Sequence, residues 1–83
     1  MTLGEFITLI ETTAKTPNEA QIASHISMLY TTYTSLPIYE GKISSFKRWV
    51  FLYGIRFVTQ VQLIAIKSFM ADISEKAEER DSL

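Results

Sequence analysis

The sequence predicts an all-α fold: a small bundle of three helices in an antiparallel up-down arrangement, or four if the longest helix breaks at Gly54. Three observations carry this reading. Apolar residues recur at spacings of three and four along most of the chain, the period of a helix. Two segments open on a Thr-x-x-Glu signature, Thr2 to Glu5 and Thr16 to Glu19, the pattern by which a helix start satisfies its unpaired N–H groups. Residues 44 to 79 then form one long stretch, apolar on more than one side.

The first helix is expected over residues 3–15, with Leu3, Phe6, Ile7, Ile10 and Ala14 on its inner face. Thr16-Pro17-Asn18-Glu19 starts the second, because proline at the first helical position gives up an N–H that would be unpaired anyway. Ile22, Ile26, Leu29, Tyr33 and Leu36, supported by Ala23 and Tyr30, make its stripe over residues 17–35. Thr31, Thr32 and Thr34 are poor helix formers, so packing has to hold its end. Pro37 stops it, since the residue before a proline avoids the helical region. A short turn from Pro37 to Glu40, closed by Gly41, fits the connector.

The third helix is expected over residues 44–79 as one continuous element, with close packing at Gly54 and a frayed, acidic end after Ile73. One face gathers Phe46, Val50, Tyr53, Phe57, Val61 and Ile64, flanked by Phe51, Val58, Ala65 and Phe69, and is expected to be the core side. A second apolar line runs along the other side at heptad spacing. It takes Trp49, Arg56, Leu63, Met70 and Ala77 at one position, and Leu52, Thr59, Ile66 and Ile73 at the other. So short a chain has too few helices to cover both sides. The second line is therefore expected to meet a partner, through Trp49, Leu52, Ile55, Arg56, Leu63, Ile66 and Met70.

At 83 residues the chain makes one domain of a size where a single core gives modest stability. It has no cysteine, hence no disulfide framework and no thiolate chemistry, which fits a reducing compartment. Glu5 and Glu11 near the start leave no signal-peptide pattern, so a cytoplasmic location is expected. The net charge of −1 conceals a pattern: −3 over residues 1–40, +5 over 41–67 with no acidic residue, and −3 over 68–83. A basic middle of this kind either steers an acidic partner or is neutralised by the chain's own ends.

Catalytic chemistry is not written in the residues. His25 is the sole histidine, whereas metal sites and general bases need partner groups. Asp72, Glu75 and Glu79 are interleaved with Lys76 and Arg80, which reads as surface pairing along a helix. No phosphate-binding loop, zinc spacing or HExxH is present. The chain is thus expected to be no enzyme and to hold no cofactor, metal or small-molecule substrate. Lys42, Lys47, Arg48, Arg56 and Lys67 lie among aromatics, but a pI near 5.7 is low for a nucleic-acid module. Trp49 to Ile66 is long enough to span a membrane, yet Arg56 near its middle costs roughly 2.5–3.5 kcal/mol on insertion.

What remains is a helical interaction module that acts by occupying a partner protein, as an inhibitor, immunity protein or chaperone does. The alternative is a subunit that assembles with itself, a two-fold dimer being the commonest form. In size and in its run of amphipathic helices the chain resembles the helical immunity proteins of bacteriocin producers. Its proline-containing turn before a helix is similar to that of secretion-needle subunits. Neither resemblance carries a site residue across.

Overall fold

The computed structural model describes the chain except for residues 54, 55, 57 and 83 and the side chains of residues 79–82. Four helices make up the described chain: α1 (Leu3–Thr13), α2 (Pro17–Thr34), α3 (Ile43–Tyr53) and α4 (Gln60–Ser82). The long helix expected over residues 44–79 is therefore two helices. The expectation of continuity is overturned, and α4 also runs beyond the expected frayed end, to Ser82. Gly54, the position expected to decide this, lies outside the described residues.

The cap at Thr59 makes the division concrete. Gln62 N–H donates to Thr59 Oγ1 at 3.2 Å, and Thr59 N–H donates to Gln62 Oε1 at 3.0 Å. This is a complete capping box, in which each residue satisfies the other's backbone donor. Of the two predicted boxes the forward half forms, while the return bond goes elsewhere, Glu5 accepting from the Thr2 hydroxyl at 3.2 Å. Glu5 N–H donates to Thr2 Oγ1 at 3.2 Å, and Glu19 N–H to Thr16 Oγ1 at 3.1 Å. Glu19 reaches back one residue further than usual, accepting from Lys15 N–H at 3.2 Å.

Dividing the helix re-phases its faces. On a continuous helix Ile66, sixteen residues after Val50, would point about 160° away from it. Both are fully buried, so the chain has to turn between them. In α4 the buried line is Leu63, Ile66, Met70, Ile73 and Ala77, with Phe69 beside it. The α4 half of the heptad seam assigned to a partner is thus the chain's own core, while Leu52, Arg56 and Thr59 of the same seam are exposed. Conversely Val61, Ile64 and Tyr53, placed in the core by the first face, are 77%, 66% and 43% exposed.

α1 and α2 bury the faces their spacing predicts: Leu3, Phe6, Ile7 and Ile10, then Ile22, Ala23, Ile26, Leu29 and Tyr33. Ser27 Oγ donates to the Glu11 carboxylate at 2.8 Å, tying these two helices together. α2 packs on the other three helices, α4 on α1 and α3, and Phe46 and Val50 bring α3 into the same core. The extents of 36 × 31 × 15 Å describe a slab. Its thin dimension matches two helices at an interaxial distance of about 8–10 Å. Its long edge matches the roughly 34 Å that the 23 residues of α4 span. The radius of gyration of 12.1 Å is close to the value of about 11.8 Å expected of a folded chain this long.

Candidate functional site

The most specific arrangement of side chains lies where α2 ends and α3 begins. The connector folds back through turn bonds, Leu36 N–H to Tyr33 C=O at 3.1 Å and Tyr39 N–H to Leu36 C=O at 3.2 Å. Gly41 closes it at φ 73°. That conformation is one that side chains with a Cβ avoid, and an added Cβ would lie 3.4 Å from the Tyr39 hydroxyl. Ser45 Oγ donates to the Glu40 carboxylate at 2.7 Å, which places a negative charge beside the start of α3. This compensates for a first turn without acidic residues.

The turn sets Tyr39 against Tyr33, and an aromatic run follows from there. Tyr33, 4% exposed, has ring centroids of Tyr39, Phe46 and Trp49 at 5.4, 5.4 and 5.6 Å. Trp49 is followed one helical turn later by Tyr53, centroid to centroid 6.2 Å. The Arg56 guanidinium lies 5.6 Å from the Tyr53 ring centroid, within cation–π range. The run therefore leads from the core to the surface. Its inner rings are fixed by packing, Trp49 is half-buried, and Tyr39 and Tyr53 are each 43% exposed. Leu52, 57% exposed, and exposed Arg48 complete the outer side of α3.

Of the residues expected to meet a partner, Trp49, Leu52 and Arg56 share this region of α3 and its exit. Leu63, Ile66 and Met70 do not; at 6%, 0% and 0% exposure they belong to the core, for the phase reason given above. Ile55 lies outside the described residues. Tyr39 and Tyr53 were not in the expected set. The signal for Tyr53 is its place four residues after Trp49, whereas the reach of Tyr39 depends on the turn at Gly41 and has no local signature.

The remaining concavities are less organised. A cleft of about 390 Å³ between the α1–α2 turn and α4 has Lys15, Glu19, Asp72 and Lys76 in its lining, two groups of each sign. His25 is half-buried and lines a smaller recess with Asn18, Gln21 and Gln62. Among the described residues no three His, Cys, Asp or Glu side chains converge on a point that would hold a metal ion. No helix among them is long and apolar enough to cross a membrane. Compared with protein-family models, with curated proteins and with solved structures, the chain matches none.

Proposed function

We propose that the chain is a helical protein-interaction module that acts by occupying a partner, and that the partner seats on Tyr39, Trp49, Leu52, Tyr53 and Arg56. The observation that carries this is the aromatic run ending in Arg56 over a half-exposed Tyr53. Tryptophan, tyrosine and arginine are the residues that dominate binding energy when they are already held in place. Here buried Tyr33 backs Tyr39 and Trp49, and Trp49 in turn backs Tyr53, so those rings have less side-chain freedom to lose on association. Arg48, Arg56 and the neighbouring lysines favour a partner with an acidic rim. Inhibitor, immunity and chaperone action all fit such a surface.

A photo-reactive residue placed at Leu52 tests the reading in the native host, with Met28 on α2, 48% exposed, as the control position. Cross-linking from position 52 alone should identify a partner. With that partner purified, Tyr53→Ala and Arg56→Ala should each weaken binding by about 2 kcal/mol, roughly thirtyfold. Unchanged affinity for both variants would rule the surface out.

A second reading, in which the partner is another copy of the chain, is favoured by the charge pattern. The +5 of residues 41–67 and the −3 of residues 68–83 are complementary between molecules. Sedimentation velocity at micromolar concentration separates the two readings. A single monomeric species leaves only the foreign partner.

A further inference from the structure

α4 is the last of the four helices and packs on the other three. On one continuous helix its buried residues and those of α3 would face opposite ways. Phe46 and Val50 would share an arc of about 60° with Val61 and Ile64. Leu63, Ile66, Met70, Ile73 and Ala77 would fill the other side. A single chain has one core, so it buries both sets only by breaking the helix, and Val61 and Ile64 are then left 77% and 66% exposed. Two chains have two cores, one for each side. The heptad spacing that ends in the buried line of α4 begins before the break, at Trp49. Residues 54–59 contain no proline to forbid a helix there. The box between Thr59 and Gln62 holds the break.

We propose that two copies of the chain exchange α4. In each copy α3 and α4 straighten into one helix, α3 stays in its own core, and α4 fills the same place in the core of the other copy. The packing of α4 on α1, α2 and α3 is re-formed between chains, so the exchange sacrifices few contacts. Val61 and Ile64 come round to the side of Phe46 and Val50, the side that faces the core. The occupant is set by phase: the buried line of α4 fits the core it already fills, and only another copy has that core. α4 has to leave its place first, so the exchange runs through the unfolded chain. It is therefore distinct from the pairing of two native copies and from the seat on the aromatic edge, and rests on neither.

Lys15 and Lys76 line one cleft between the α1–α2 turn and α4, which makes them the reporter pair. Ordinary and heavy-nitrogen-labelled chains are unfolded together in urea, refolded at millimolar concentration and separated by size. A short amine cross-linker then joins the lysines. The expected dimer carries Lys15–Lys76 cross-links of mixed label, whereas the monomer carries them within one label. Thr59→Ala combined with Gln62→Ala should raise the dimerisation constant roughly thirtyfold, since each dimer forgoes two caps. Gln60→Pro should abolish the dimer. It puts proline at the first position of α4, as Thr16-Pro17 does at the start of α2, but proline within a straightened helix would break it. Circular dichroism checks that this variant keeps its helices, and the label test decides even if it does not. Absence of a dimer from both the unaltered chain and the cap variant overturns the proposal. So does a dimer formed equally well by folded Gln60→Pro. A dimer whose Lys15–Lys76 cross-links stay within one label also overturns it, because two native copies would then lie side by side. No variant here alters Tyr39, Trp49, Leu52, Tyr53 or Arg56, so failure here is separable from failure of the protein-binding reading.

Discussion

Tyr33 and Arg56 sit at opposite ends of one aromatic run, and their substitutions should behave in opposite ways. Tyr33 is buried and touches three rings. Truncating it removes core contacts and the support of Trp49 together, so Tyr33→Ala should cost about 3–5 kcal/mol in urea denaturation. A chain of this size has roughly 4–12 kcal/mol in total, so that loss should leave the variant marginal. Arg56 is exposed, and Arg56→Ala should change stability by less than about 0.5 kcal/mol. Thus only association should register its loss. Gly41 is constrained by its φ of 73° and by the Tyr39 ring beside it; Gly41→Ala should cost about 1–2 kcal/mol and shift Tyr39, which near-ultraviolet circular dichroism would detect.

At the level of elements, the division between α3 and α4 rests on the Thr59–Gln62 box. Removing its hydroxyl in Thr59→Ala should destabilise the fold by about 1 kcal/mol, as Thr16→Ala should at the start of α2. The double variant Thr59→Ala, Gln62→Ala should lose less than the sum of the two single changes, because the residues satisfy each other. The phase of α4 has its own test in two isoleucines two positions apart. Ile66 is fully buried and Ile64 is 66% exposed. Ile66→Ala should cost about 2–5 kcal/mol, and Ile64→Ala less than about 0.5 kcal/mol. A single continuous helix with Val50 inward would give the reverse order, so one pair of denaturation curves decides the matter.

Across the whole molecule, a slab two helices thick exposes much of its surface, and α3 is the helix with the smallest buried share. Only Phe46 and Val50 of α3 are buried, whereas α1 and α2 bury a full stripe each. Hydrogen exchange should therefore find α3 among the least protected helices, with the inner turns of α2 and α4 the most protected. A partner on the aromatic edge should raise protection in α3 first. That ordering can be checked by mass spectrometry without knowing the partner in advance. Uniform protection of all four helices in the free chain would contradict it.

The sequence by itself determined the helical class, the starts of α1 and α2, and the inner faces of both. Those features follow from contacts three and four residues apart and from caps made within one turn. It also contained the start of α4, since Thr59-Gln60-Val61-Gln62 has the same box form as the two earlier starts. Inside an apolar run that box reads equally as a polar interruption of a seam. Two apolar lines on opposite sides of residues 44–79 fit either a partner or a chain folded back on itself, because periodicity records which residues are apolar and not what they face. Tertiary packing decided between them. With the helix divided before Gln60, Leu63, Ile66 and Met70 turn inward, and Val61 and Ile64 are left outside. The surface around Trp49 and Tyr53 was partly legible, through Trp49, Leu52 and Arg56. The contribution of Tyr39 was not, since it depends on a left-handed turn at Gly41 that brings rings from separate elements within 5.4 Å.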